Sequence, residues 1–133
     1  MATLKLTSLE DPGYNCIAWA AEDNENWWWP DTDSFWPEGV ERQETLDSFI
    51  KAFATLGYEL CTDGALEAGF QKIAIYADAR GVPTHAARQL ESGEWASKLG
   101  KDCDVEHIDL DDVHQWPRVR YGKVTAFVRK PRS

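Results

Sequence analysis

Apolar residues recur at two different spacings in the two halves of the chain, and each spacing predicts a different kind of element. In the first half they fall three and four positions apart, at Leu46, Phe49, Ile50 and Phe53. This spacing predicts a helix from about Gln43 to Leu56, with Gly57 as its stop signal. A shorter helix is predicted from Cys16 to Glu22, because Asn15 is a preferred N-cap residue and places Cys16 in the first turn.

In the second half, alternating apolar positions bounded by turn residues predict strands. The predicted strands cover about Gly69–Ala77, Val82–Leu90, Trp95–Leu99 and Gly122–Val128. Residues 101–120 are acidic and are expected to be irregular, with a short helix near Asp109 to His114. Helices followed by strands predict a single α+β domain over residues 1–133, with N-terminal helices packed on an antiparallel β-meander.

The hairpin between the second and third predicted strands sets which residues lie beside His85. A two-residue turn at Ser92-Gly93 would pair Leu90 with Trp95 and bring Asp102 to the face of His85. A shift of one residue would bring Ser97 or Leu99 there instead. The register therefore decides which side chain accompanies this histidine.

Tryptophan is concentrated between the two helices, in an irregular loop over residues 27–40. Trp27, Trp28 and Trp29 are followed by Pro30, and a second Trp-Pro step follows at Trp36. Three consecutive tryptophans cannot all point inward, so at least one is expected to line a cleft or a partner surface. The alternative is that two of them fill the core.

Composition narrows the range of ligands. Fourteen basic residues against 23 acidic ones give a formal net charge of -9, which argues against nucleic acid as the main ligand. No apolar run approaches a membrane span, and the N-terminus lacks the pattern of a signal peptide, so a cytoplasmic protein without a membrane partner is expected. The three cysteines are expected to be free thiols.

Cys16 is the first candidate for chemistry. Unpaired N–H groups at a helix start stabilise a thiolate, and with the Asn15 amide they would bind the oxyanion of a tetrahedral intermediate. The alternative is a small buried side chain without reactivity. His85, on a later strand with two alanines after it, is the candidate base, and Asp102 is the candidate orienting group.

Other polar residues near these positions have lesser predicted roles. Arg88 and Lys98 would attract an anionic group, although solvated strand positions are the simpler interpretation. His107 and His114 fall in the acidic segment and are expected at the surface. Cys103 and His107 have a metal-ligand spacing without a second pair, and nucleotide-binding glycine motifs are absent, so neither a metal nor a cofactor is predicted.

Several short motifs together resemble a known arrangement. They are Tyr14-Asn15-Cys16-Ile17-Ala18-Trp19, Trp27-Trp28-Trp29-Pro30, Thr84-His85-Ala86-Ala87-Arg88-Gln89 and Trp95-Ala96-Ser97-Lys98-Leu99-Gly100. A helix-starting cysteine followed by helices and a strand histidine resembles the papain-like cysteine hydrolases, and the finer motifs resemble small bacterial domains. That superfamily includes cell-wall amidases, deamidases, acyltransferases and peptidases. The chain departs from its pattern in having no glutamine one turn before the cysteine and no marked asparagine after the histidine strand.

Two functions follow as hypotheses. The first is a cysteine-dependent hydrolase or acyl/amide transferase, in which the pair Cys16 and His85 acts on a peptide or amide bound near Asn15, the Trp27–Trp29 loop and Arg88. The second is a non-catalytic protein-interaction domain with an inactive papain-like fold, which would hold a protein partner through the tryptophan loop.

Overall fold

The structure is a computed structural model, and it describes residues 4–6, 15–23, 25–98, 104–107, 110 and 122–132. Two α-helices occur in these residues, α1 (Cys16–Ala20) and α2 (Leu46–Ala54). The strands are β1 (Leu4–Leu6), β2 (Glu59–Cys61), β3 (Phe70–Ala77), β4 (Pro83–Gln89), β5 (Trp95–Lys98), β6 (Asp104–His107) and β7 (Lys123–Pro131). Both predicted helices are present and shorter than expected, and all four predicted strands are present.

The strands form one antiparallel sheet in the order β1-β6-β5-β4-β3-β7-β2. Strands β3 to β6 follow one another as a meander, which confirms the predicted α+β class and the antiparallel pairing. The last strand, β7, crosses to the other side of β3 and lies between β3 and β2. Central β3 is therefore paired along both edges, with β4 and β7.

Three strands were not predicted, and each depends on its neighbours rather than on its own composition. The acidic β6 is held on one side by β5 and on the other by β1. The three-residue β2 lies at the edge of the described sheet, where it pairs with β7. Short segments of this kind adopt strand geometry because ladder hydrogen bonds are available, so local propensity does not identify them.

Both helices and the tryptophan loop cover one face of the sheet. The helix-side core contains Ile17 of α1, Phe49 and Phe53 of α2, and the loop residues Trp28 and Trp36, against Ile73, Ile75, Ala86 and Val128 of the sheet. Thr45 begins α2, because its hydroxyl accepts a hydrogen bond from the backbone N–H of Ser48. The α2 apolar face predicted from sequence is the face that packs, with Phe49 and Phe53 fully buried.

The opposite face of the sheet is also covered. Gln89 donates from its side-chain amide to the carbonyl of Gly64, which brings the segment after β2 across this face. Gly64 lies so close to the rings of Phe127 and Trp95 that a β-carbon at this position would overlap with Phe127. Side chains on this second face, among them His85, are therefore removed from water.

The β4–β5 hairpin has a register one residue away from the two-residue-turn prediction. Gln89 pairs with Trp95 and Arg88 with Ala96. The backbone N–H of Leu90 donates to Glu94 over 2.8 Å, which leaves a three-residue loop that contains Gly93 with a φ of 93°. The pairing of Leu90 with Trp95 was wrong, and the shifted alternative is the one observed.

Phe49 offers a test of the helix-side core, because its ring packs edge-on against Trp29 and Trp36 at centroid distances of 5.3 and 5.1 Å. Phe49→Ala should lower the free energy of unfolding by about 3–5 kcal/mol, since it removes a fully buried ring and leaves a cavity. Urea denaturation followed by circular dichroism measures the change. Leu60→Ala is the matched control, because Leu60 is 61% exposed and its loss should cost less than about 0.5 kcal/mol. Equal losses in both variants would contradict this packing.

A cysteine and a histidine on neighbouring backbone

Cys16 is the first residue of α1 and lies almost wholly inside the protein, with 6% of its surface exposed. Asn15, in extended geometry, is the N-cap, as the sequence predicted. The Cys16 thiol lies 3.9 Å from the carbonyl oxygen of Thr84, to which it donates a weak hydrogen bond. The sulfur therefore touches β4 at the residue directly before His85.

This contact is available because β5 leaves β4 early. Their described pairs are those at Arg88 and Gln89, whereas β4 remains paired with β3 as far as Pro83. Helix α1 packs against both strands where they separate. Backbone groups of β4 at Thr84 and Ala86 thus lie beside the start of a helix.

Asn15 has a role that differs in part from the predicted one. Its side-chain oxygen accepts from the N–H groups of Ala18 and Trp28, at 3.0 and 3.2 Å, and its amide donates to the Trp28 carbonyl at 2.6 Å. The residue is buried, so all three bonds are shielded from water. Asn15 joins the helix start to the tryptophan loop, and its amide points to Trp28 rather than standing ready for an oxyanion.

The tryptophan loop contributes to the core more than to an open cleft. Trp28 is 4% exposed, and its indole N–H donates to the Asp23 carboxylate over 2.8 Å. Trp27 and Trp29 are half-buried. Of the three consecutive tryptophans Trp28 belongs to the buried core, and Trp29 packs against that core while partly exposed; the second fully buried tryptophan of the loop is Trp36. The predicted substrate contact at Trp28 is corrected, because its ring is enclosed by the protein.

His85 is fully buried on the second face of the sheet. Its ring meets the Tyr76 ring edge-on at a centroid distance of 4.9 Å. Its Nε2 atom lies 2.9 Å from the Ser97 hydroxyl, and this hydroxyl lies 2.8 Å from Nε2 of His107. Three polar side chains from β4, β5 and β6 therefore form one continuous hydrogen-bonded chain.

Cys16 lies beside the stretch of β4 that carries His85, and its contact with this stretch is with the backbone of Thr84. Ala86 belongs to the helix-side core with Cys16, so strand alternation directs the neighbouring His85 toward the other face. The sulfur approaches the strand at the level of the backbone, where its partner is Thr84. The expectation that the thiol faces the imidazole is therefore wrong. The sulfur instead contacts the residue that precedes His85 on β4.

Burial controls the proton on Cys16. Loss of hydration raises the pKa of the thiol to about 11, because the thiolate is the form that loses most when water is removed. Hydrogen bonding from the backbone at Ala86, Ile17 and Cys16 itself favours the thiolate, as does the charge of Lys98, but these effects are smaller than desolvation. At neutral pH Cys16 is therefore a protonated thiol.

His107 was expected at the surface and is instead buried on β6, facing Ser97. That prediction was wrong because the acidic segment around His107 forms a strand between β5 and β1.

Ser97 is the residue that the structure places beside His85, which agrees with the shifted hairpin alternative. The predicted orienting residue Asp102 lies outside the described residues, as does His114. The sequence did contain a signal for Ser97 as the neighbour of His85: Ser97 is two positions from Trp95 and therefore lies on the same face of the strand.

The two basic candidates, Arg88 and Lys98, contact other parts of the protein rather than lying in solvent. Arg88 donates to the carbonyl of Trp19 over 2.8 Å, and its guanidinium lies 4.6 Å from the centre of the Trp19 ring. These contacts attach β4 to α1, so the predicted role of Arg88 in binding an anionic group is corrected to an internal one. Lys98 was expected in solvent and is fully buried.

The chain matches one protein family over nearly its whole length. Residues 5–129 match the model of a family described as Domain of unknown function (DUF7689). The chain belongs to this family. No curated protein and no solved structure matches the chain. The DUF7689 match spans the thiol, the histidine chain and the tryptophan loop together, so these features lie within one family unit.

In the described part of this DUF7689 domain, no group of three or more histidine, cysteine, aspartate or glutamate residues has the arrangement of a metal site. Among the same residues, no helix has both the length and the apolar character needed to cross a bilayer.

Asn15 can be tested as the residue that joins α1 to the loop. Asn15→Ala should lower the free energy of unfolding by about 2 kcal/mol, because it removes a cap and leaves buried backbone groups at Ala18 and Trp28 without their partner. Urea denaturation measures the loss. Asn26→Ala is the matched control, since the Asn26 side chain bonds to Asp23 at the surface and its loss should cost less than about 0.5 kcal/mol. A loss at position 15 no larger than the control would exclude the joining role.

The raised pKa of Cys16 predicts the pH dependence of its alkylation. In a Cys61→Ser/Cys103→Ser background, the rate with iodoacetamide should increase about tenfold for each pH unit from about pH 7 to pH 9, because the thiolate is the reactive form. Intact-mass spectrometry follows the modification. A rate that reaches a plateau near pH 7 would show that a thiolate is already formed, contrary to the effect of burial.

Proposed function

We propose that this chain is a papain-like cysteine-dependent hydrolase or acyl/amide transferase that acts on a peptide or amide. The observation that supports this proposal is the position of the Cys16 thiol. It lies at a helix start and against the carbonyl of Thr84, while the next residue, His85, is held through Nε2 by the Ser97 hydroxyl. Thiol catalysis requires a nucleophile, a base and a group that holds the base. Here the base belongs to the residue that follows the one the sulfur contacts.

The engaged Nε2 of His85 determines which ring nitrogen does the chemistry. In the proposed reaction Nδ1 accepts the thiol proton, and the sulfur electron pair forms a C–S bond to the substrate carbonyl carbon as its oxygen becomes an oxyanion. The oxyanion then restores the carbonyl, the C–N bond breaks, and Nδ1–H protonates the leaving amine. Water, or an acceptor alcohol or amine, gives its proton to Nδ1 and attacks the thioester, which releases Cys16 as a thiol.

Proton transfer in this scheme accompanies the attack rather than preceding it. The pKa of about 11 keeps Cys16 protonated in the resting protein, so no thiolate–imidazolium pair is formed beforehand. The contact from the sulfur to Thr84 is 3.9 Å long and therefore weak, but the His85 ring is directed toward the other face of the sheet, so the scheme requires substrate binding to bring the thiol and Nδ1 together.

Backbone groups are the proposed oxyanion donors. The N–H groups of Cys16 and Ile17 lie at the start of α1, close to the sulfur, where they favour negative charge. They replace Asn15 in this role, since the Asn15 amide donates to Trp28. The donors are held rigid by the N-cap bond to Ala18.

A non-catalytic interaction domain is the second candidate, and the enclosed thiol is the observation that favours it. Cys16 is buried, protonated and bonded to Thr84, which is the environment of an unreactive cysteine. In that function the loop would meet a partner through Phe35, which is 44% exposed and packs on Trp28 at 5.0 Å. Trp28 itself would support the loop from beneath.

Acyl transfer to Cys16 distinguishes the two functions. With p-nitrophenyl acetate, the Cys61→Ser/Cys103→Ser protein should gain one acetyl group on Cys16, located by peptide mapping, with an initial burst of p-nitrophenol. Adding His85→Gln should slow acetylation by about 100-fold or more, because the proton acceptor is lost. The measurement is the burst rate at pH 7.

The control for this experiment must separate a lost base from a disturbed core, since His85 is fully buried. Tyr76→Phe keeps the ring against His85 and removes only the hydroxyl, which bonds to the carbonyl of Leu110. It should fold and acetylate at close to the parent rate. If Cys16 of the parent is not acetylated, or if His85→Gln retains the parent rate while remaining folded, the non-catalytic function is supported instead.

A further inference from the structure

The hydroxyl of Ser97 lies between two imidazole rings and is hydrogen-bonded to the same ring nitrogen of each. The distances from Oγ are 2.9 Å to Nε2 of His85 and 2.8 Å to Nε2 of His107. All three side chains are buried. Neither contact belongs to the sheet ladder, so the sequence places three polar side chains together here at a cost in desolvation.

The single hydroxyl hydrogen makes this chain directional. Ser97 can donate to one of the two Nε2 atoms and accept from the other. The imidazole that receives the hydroxyl hydrogen must have a bare Nε2, and the other imidazole must carry its proton there. The protonation pattern of one histidine is therefore linked to that of the other through Ser97.

We propose that Ser97 accepts from Nε2–H of His85 and donates to Nε2 of His107, so that His107 is a positioning residue for His85. This direction leaves Nδ1 of His85 as its basic nitrogen, and it requires neutral His107 to carry its proton on Nδ1. The inference concerns the tautomers of the two rings. Its catalytic meaning rests on the proposed function.

The direction follows from the state that His85 would pass through during the reaction. Once Nδ1 has accepted a proton, both ring nitrogens are donors, and Nε2–H still needs an acceptor. In the proposed direction Ser97 is already that acceptor, so no hydrogen in the chain has to turn. In the opposite direction the hydroxyl hydrogen would point at Nε2–H, and the chain would have to reorganise within a packed interior, which opposes preorganised catalysis.

The surroundings keep the three groups in place. The Tyr76 ring meets the His85 ring edge-on, and Trp95, two residues before Ser97, pairs directly with His107. Ser97 itself pairs with Val105, two residues before His107 on the same strand. Residues two apart on a strand lie on one face, so the register of β5 with β6 places the hydroxyl and the His107 ring on the same side.

Nitrogen-15 NMR of the histidine-labelled full chain tests the inference directly. Long-range proton–nitrogen spectra at neutral pH distinguish a protonated Nε2 from a protonated Nδ1, and His114→Gln and His107→Gln spectra assign the signals. We expect protonated Nε2 in His85 and protonated Nδ1 in His107. A proton on Nδ1 of neutral His85 in the unsubstituted protein would overturn the proposal without the need for any variant.

Substitutions then separate positioning from mere support of the fold. Ser97→Ala should convert His85 from one tautomer to a mixture, whereas Ser97→Thr, which keeps the hydroxyl, should preserve it. His107→Leu should slow acetylation of Cys16 by about tenfold, and His107→Gln, whose amide oxygen can accept from Ser97, should restore most of the rate. An unchanged His85 tautomer in folded Ser97→Ala would overturn the proposal.

The two proposals fail separately in these experiments. Absence of acetylation on Cys16, together with the expected tautomers, would remove the enzymatic function and leave the directional chain intact. Acetylation that depends on His85, together with the opposite tautomers, would keep the enzyme and remove the role assigned to His107.

Discussion

Strand β4 is hydrogen-bonded to β3 along its length but to β5 at only two described residue pairs, and the candidate site depends on this difference. An uninterrupted β5 would occupy the edge of β4 that the Cys16 sulfur touches. Because the strands part after Arg88 and Ala96, the start of α1 reaches the backbone at Thr84. On its other edge β5 pairs with β6 over all four of its residues, which brings Ser97 and His107 together. The pairing of β5 with β6 therefore positions the histidine chain, and its limited pairing with β4 accompanies the approach of the thiol.

The second constraint is burial on both faces of the sheet. The helices and tryptophans exclude water from Cys16, and the segment through Gly64 helps to cover the face that carries His85. In such surroundings polar groups must satisfy one another, and a charge is expensive to form. The resting site is accordingly a neutral thiol and a linked pair of imidazoles, and any chemistry must generate charge only when a substrate can stabilise it.

The sequence contained enough to predict the parts of the molecule whose signals are local. Asn15 as a cap, the apolar face around Phe49, and the strand that carries His85 all follow from short patterns. The neighbours of His85 could not be predicted in the same way, since they depend on the hairpin length. A three-residue loop moves every β5 side chain by one position, which replaces the expected neighbour with Ser97. His107 escaped detection because an acidic tetrapeptide becomes a strand only when β1 and β5 flank it.

The ends of the sheet have a consequence for how this domain behaves among other proteins. Its outermost strands, β1 and β2, are three residues long, whereas β3 and β7, which lie inside β2, have eight and nine. An incoming extended chain would find only a few unpaired backbone groups on β2, and the Glu59 carboxylate there is already ion-paired with Arg129. Short, charged borders give poor templates for intermolecular β-sheet growth. In the described part of the chain, an incoming strand would thus meet at Phe127 to Arg129 of β7 a short, ion-paired border, which discourages fibril formation from this part of the edge.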